Sequence, residues 1–463
     1  MDAALASDRN SIPSGPAITP APRPARTLGL WAAIALVIGN QLGVGVFTLP
    51  ASLAPFGWNA LVGWGASIAG ALALACVFGR LAVAVPGSGG PYLYTRAAFG
   101  DRAGFVVAWS YWMNLWVGNA ALPVACVGYL ALFWPALATN RLLATGLAVA
   151  FVWLFTLVNL RGVAAVGRVA VLTTLIKLVP LIGAALLGIW VLASHGSTAL
   201  TPAAVPLSGH GIAASALLTL FALLGMESAS VPGGKVRNPA RTIPRAALWG
   251  TAFSGVISFA VASAVMLMSD PAAVAVSGAP IADFAAHWAG GGWSRPLAAF
   301  AVVGGLGCLS GWLLLQGEVP AAMARAGVLP RALARVDARG TPVTAHLVSS
   351  SLLTFVLLMN ASASLVGLFT FIVEMAVLAS LVAYLTCSLA AIRLRAGGRG
   401  FAALALFAAA YSAWALTGAD RKSLLWFGGL MLAGLPVYAI MRLRARADAT
   451  SLARADGAAA LQE

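Results

Sequence analysis

Long apolar stretches, each closed by a short polar segment, run along almost the whole chain. Twelve of them approach or exceed the ~20 residues that cross a bilayer: residues 29–53, 58–84, 103–135, 142–160, 166–193, 211–232, 245–268, 297–320, 343–359, 364–391, 401–418 and 424–441. The longest polar segments between them are 85–102, 194–210, 233–244, 269–296 and 321–342. This pattern predicts an all-α polytopic membrane protein with twelve transmembrane helices. Segments 85–102 and 321–342 are weakly amphipathic and are expected to lie at the cytoplasmic interface.

Two spans have the wrong chemistry for an unbroken helix. The first contains IGNQLGVGVF, with Gly39, Gly43 and Gly45 around Asn40 and Gln41. The sixth contains LLTLFALLGMESASVPGG, with Gly225 and Glu227 in its middle. Broken backbone at membrane depth survives only where protein, water or ligand satisfies it. Spans one and six each open a block of five, and interrupted helices at matching places in two halves point to an inverted-repeat transporter. The expected layout is a tail at 1–27, a 5+5 inverted-repeat core at 28–396, two further helices at 397–445, and a second tail at 446–463. Residues 1–27 read as a disordered cytoplasmic tail.

Composition agrees with the pattern: 61% of the 463 residues are apolar and only 9% charged, against about a quarter charged in soluble domains. The net charge of +15 raises the question of nucleic acid. Its distribution answers it. With the N-terminus inside, 23 of the 28 Lys and Arg fall on the cytoplasmic side, four outside, and Lys177 within a span. That bias is the positive-inside signature, reinforced by contact with anionic lipid. It places both termini in the cytoplasm of an inner-membrane protein and leaves no nucleic-acid patch. The four cysteines have no metal or disulfide spacing, no phosphate-binding loop is present, and no nucleophile–base pairing suggests an enzyme. No cofactor is expected.

The breaks carry the candidate chemistry. A half-helix restarting near Val44 offers N–H groups and a positive dipole end to a carboxylate. The half-helix ending near Asn40, joined by carbonyls around Phe221 to Gly225, suits an ammonium. A zwitterionic α-amino acid fits both poles; the competing reading is that the glycines serve close packing alone. Intramembrane charges are few and therefore informative. Glu227, after the second break, is placed either to exchange a proton or to hold a fixed hydrogen bond to the first broken helix. Glu374 either neutralises a cationic side chain or pairs with Lys177. Glu318 lies near a helix end and can reach water. Lys177 either stands where other transporters hold a sodium ion or is a static pair. Tyr111, Trp116, Phe221, Trp312 and Tyr384 are candidate aromatic lids over a cationic ligand, and Asn119 is an amide that must find a partner.

At GNQLGVGVFTLPASLA, PGSGGPYLYTRAAFG, YWMNLWVGNAALPV, GMESASVPGGKVRNPARTIPRA and GCLSGWLLLQG the chain resembles the amino acid–polyamine–organocation transporters, most closely their bacterial arginine/agmatine antiporter branch. The resemblance covers about residues 29–391. It implies alternating access by the leucine-transporter-type inverted-repeat fold of ten core helices plus two, often assembled as a homodimer. It implies a substrate carboxylate on the amides near Val44 and Gly45, beside Gly43. It puts the α-amine on carbonyls near Gln41, Phe221 and Leu224, and the side chain between Asn119 and Trp312. Tyr111, Phe221, Glu227 and Tyr384 fall at that branch's gating or proton-sensing positions. Val44 replaces a serine of the branch, Phe221 a tryptophan and Glu374 a small polar residue. Lys177 in its IKL setting is similar instead to proton-coupled symporters of the superfamily. The expected function is secondary transport of an α-amino acid, exchanged or proton-coupled; a cationic one such as arginine, with its amine product, suits the branch. The alternatives are a proton-coupled symporter of neutral amino acids and, from another class, a membrane sensor or channel.

Overall fold

The computed structural model describes residues 29–43, 45–86, 90–161, 163–229 and 236–443. The two tails and Val44 therefore lie outside the described residues. The chain is helical: α1 (Leu30–Gln41), α2 (Gly45–Leu53), α3 (Trp58–Ala84), α4 (Pro91–Phe99), α5 (Asp101–Gly118), α6 (Ala121–Leu130), α7 (Ala136–Thr139), α8 (Arg141–Leu160) and α9 (Val163–His195), then α10 (Gly209–Phe221), α11 (Pro239–Leu267), α12 (Pro271–Val276), α13 (Pro280–Ala289), α14 (Ser294–Arg325), α15 (Val343–Met359), α16 (Leu365–Arg393), α17 (Arg399–Leu416) and α18 (Arg421–Leu432). Among the described residues, ten helical spans are long and apolar enough to cross a membrane, or eleven with the bent pair α1–α2 counted as one. Helix α15 is a shorter apolar helix. The chain is a multi-pass membrane protein.

Local chemistry fixes the ends of these helices. Asn140, Ser208, Ser364 and Asp420 each accept a backbone N–H of the first turn of α8, α10, α16 and α18. Such caps satisfy donors that the helix itself leaves without partners. Segment 85–102 forms α4, started by Gly90 and stopped by Gly100, both at positive φ. Arg96 then pairs with Asp101 at 2.6 Å.

The third span, read as continuous, is interrupted at Asn119–Ala120 between α5 and α6. Pro123 sits in the first turn of α6, where its missing N–H costs little.

Packing follows small residues. Helix α14 lies along α9, because Gly304 and Gly307 leave room for Lys177 and Thr173. Helix α3 packs on α10 and α11, α1 on α11, and α16 on α5 and α17. These contacts bring both broken spans to the centre of the bundle.

Candidate functional site

The break between α1 and α2 falls at Leu42–Gly43, and α2 begins at Gly45. The break after α10 runs through Ala222–Gly225 into a 3₁₀ turn, Met226–Ala229. Gly225 has φ +97°, a conformation that other residues rarely adopt. A β-carbon there would stand 3.3 Å from both Asn40 Cβ and Trp312 Cζ2. The two breaks are therefore packed directly against each other.

Between them lies a small cavity, with about 450 Å³ free of atoms when its opening to solvent is counted. Asn40, Gln41, Gly43, Gly45 and Val46 line it from the first break, and Phe221, Ala222 and Leu224 from the second. Asn114, Gly118, Asn119, Leu122 and Trp312 complete the wall. The Phe221 ring crowds Gly45 so closely that a β-carbon there would be 2.6 Å from Cε1. That ring also meets Phe369 edge-on at 6.1 Å between centroids.

Three carbonyls at the end of α1 are already engaged by the protein. Gly39 accepts from Lys177 Nζ at 2.5 Å, Asn40 from Trp312 Nε1 at 3.1 Å, and Gln41 from the Gly43 N–H at 2.8 Å. Gln41 Nε2 donates to Leu223 O at 2.8 Å and to Thr251 Oγ1 at 3.0 Å, tying the breaks to each other and to α11. Carbonyl oxygens keep a second lone pair, so these groups hold the broken helix without closing it to a ligand. The expectation that the carbonyls near Asn40 stand open for an ammonium is narrowed accordingly.

Glu227 is 2% exposed. Tyr111 Oη donates to its Oε1 and Tyr384 Oη to its Oε2, each at 3.1 Å. The carboxylate thus joins α5 and α16 through the second break.

Lys177 is 1% exposed. An amine so deep needs a partner, and the Gly39 carbonyl supplies one. Glu374 does not pair with it. Glu374 also does not line the cavity: its Oε2 accepts from Ser423 Oγ of α18 at 2.5 Å. The reason is helical rotation. Phe369 and Ala376 face Phe221 and Gly118, and at 3.6 residues per turn Glu374 points roughly 140° from the first and 160° from the second.

Sequence reasoning passed over Gln316, whose Oε1 accepts from Asn119 Nδ2 at 2.8 Å. It also passed over the cavity role of Asn114, Gly118 and Leu122. A lone amide in an apolar span was the only available signal for Gln316.

A multi-pass helical bundle whose two broken spans meet at a small cavity has the form of a membrane transporter. The family model described as amino acid permease matches residues 28–441, and the chain belongs to that family, within the amino acid–polyamine–organocation transporters. It is 36% identical over 353 residues to the cadaverine/lysine antiporter of Escherichia coli (strain K12), covering 73% of this chain and 77% of the relative. It is 27% identical to the putrescine transporter PotE of Haemophilus influenzae, covering 87% and 94%. The protein of that name in E. coli K12 is 26% identical, with 88% and 94% covered.

Proposed function

We propose that this protein exchanges a cationic α-amino acid for an amine by alternating access across a bacterial inner membrane, with both termini in the cytoplasm. The observation that carries the reading is the cavity formed where the α1–α2 break meets the α10 break. Helix α2 starts at its wall and supplies the positive dipole end for a carboxylate. The turn at Phe221–Leu224 is the pole for the α-amine. Asn119 and the Trp312 indole mark the far end, where an aromatic face and an amide oxygen suit a cation. Gly43, Gly45 and Gly225 provide the backbone, and Asn40 and Gln41 the polar wall. The relatives' names extend the substrate class from arginine to lysine and short diamines. One of these relatives is named a cadaverine/lysine antiporter, which favours exchange over symport.

The twelve-helix, 5+5 inverted-repeat architecture belongs to the same proposal. Numbering spans in chain order, α3 on α10 pairs span two with six, and α11 on α1 pairs seven with one. Helix α9 on α14 pairs five with eight, and α16 on α5 pairs ten with three. Each pair becomes the other when five is added and wrapped around, which is what a five-span repeat produces. Residues 28–396 form that core, with two helices following. Glu227 and its tyrosines act as the gate and proton sensor. The protein works with membrane lipid around it and as a homodimer.

One observation favours the second reading, proton-coupled symport of neutral amino acids: the Lys177 amine on the Gly39 carbonyl, inside the bundle. Binding separates the two. Purified protein is titrated calorimetrically with lysine, arginine, cadaverine, putrescine and leucine, with Trp312→Ala as control. The proposal expects heat from the cationic ligands and its loss in the variant. Binding of leucine alone, or of none of the five, contradicts it.

A further inference from the structure

A chain of hydrogen bonds leaves the cavity and ends on a backbone carbonyl. Asn119 Nδ2 donates to Gln316 Oε1 at 2.8 Å. Gln316 Nε2 donates to Ser350 Oγ at 3.3 Å. Ser350 Oγ lies 2.8 Å from Thr156 Oγ1, and Thr156 donates to the Val152 carbonyl at 2.7 Å. Gln316, Ser350 and Thr156 are each 0% exposed, so no water competes. The chain crosses from the α5–α6 junction through α14 and α15 to α8.

Its polarity is forced. A carbonyl can only accept, so the single Thr156 proton is spent on Val152. Ser350 must then donate its own proton to Thr156, which leaves its oxygen to accept from Gln316. Gln316 therefore turns its NH₂ towards α15 and its oxygen towards Asn119. That in turn draws the Asn119 nitrogen towards α14 and leaves the opposite prong of the amide, Oδ1, on the cavity side. Among the described residues nothing donates to this oxygen, and Asn119 lines the cavity. A second directed pair steadies Gln316: Trp112 Nε1 donates to Ser349 Oγ at 2.9 Å, and Ser349 donates to the Gln316 carbonyl at 3.2 Å.

We infer that the Val152–Thr156–Ser350–Gln316 relay is a specificity device that locks Asn119 as a hydrogen-bond acceptor for the donor-only, cationic end of the substrate. Gln316, Ser350 and Thr156 are positioning residues that act through Asn119. An ω-ammonium satisfies the oriented oxygen, whereas a neutral alkyl end leaves it dry and without a partner, a loss that sites built to hydrogen-bond punish heavily. The inference rests on the exchange reading above and adds the cause of its cation preference.

The test uses the full chain in proteoliposomes exchanging labelled lysine, with unlabelled lysine and norleucine as competitors. Norleucine is lysine with a methyl group in place of the terminal ammonium-bearing end, so it isolates that contact. Wild-type protein is expected to prefer lysine by at least about tenfold. Gln316→Leu should abolish most of that preference. Thr156→Val and Ser350→Ala, nearly isosteric and away from the cavity, should reduce it severalfold. Thr156→Ser, which keeps the hydroxyl, should retain it. A preference unchanged in Gln316→Leu, Ser350→Ala and Thr156→Val, whatever their exchange rates, overturns the relay. So does a Thr156→Ser variant as impaired as Thr156→Val, since that reports packing alone. Wild-type exchange without a lysine preference overturns the relay while exchange itself stands; no exchange at all overturns the reading beneath it.

Discussion

Lys177 on α9 donates to the carbonyl of Gly39 on α1, 2.5 Å away and sealed from solvent. A cation thereby holds the last turn before the first break. Lys177→Ala removes the charged donor of that carbonyl, leaving the weak Cys308 Sγ contact at 4.0 Å, and opens space beside Gly304. A charged hydrogen bond is worth about 1.5–3 kcal/mol, so the variant should unfold several degrees lower in a thermal melt and exchange at a small fraction of the wild-type rate. Lysine uptake unaffected by Lys177→Ala would make the contact incidental.

Glu227 offers two carboxylate oxygens to two tyrosine donors. A proton on either oxygen turns an acceptor into a donor, so the facing tyrosine must give up its donated bond or turn to accept. Exchange is therefore expected to rise as pH falls, as the tie between α5 and α16 loosens. Glu227→Gln, with one oxygen and one NH₂, carries no titrating group, and its rate should be flat from pH 5 to 8. Initial rates across that range check both statements.

Gly45 gives way to the Phe221 ring. A methyl at Gly45 would meet Cε1 at 2.6 Å, and overpacking of this kind costs about 1–3 kcal/mol. Gly45→Ala should lose most substrate binding. The double variant Gly45→Ala/Phe221→Leu should recover part of it, measured by calorimetry.

Glu374 binds Ser423 and stands away from the cavity. Glu374→Gln keeps a hydrogen-bonding group there, and lysine exchange should stay within about twofold of wild type. A change in substrate preference in this variant would return Glu374 to the site.

Both breaks were legible in the sequence because glycine and amides inside an apolar span are costly unless something satisfies them. The helices were legible for the same reason that makes apolar runs of membrane length rare elsewhere. Depth in a span does not give the direction a side chain faces, which is why Glu374 reads as a site residue but turns from the cavity towards Ser423 of α18. The interruption at Asn119–Ala120 was hidden because apolar residues continue on both sides of it. The pairing of Asn119 with Gln316 joins positions 197 apart, and only the folded bundle brings them together. Lys177 was legible as a buried charge, but its partner is a backbone carbonyl that no residue type announces.

The central claim, exchange through the cavity between the two breaks, is tested most directly by counterflow. Proteoliposomes loaded with cadaverine and empty ones are given external labelled lysine with no pH gradient. The account predicts rapid lysine entry only into loaded vesicles, with one cadaverine leaving per lysine, and loss of that entry in Trp312→Ala. Equal uptake into empty and loaded vesicles, or none into either, would contradict it.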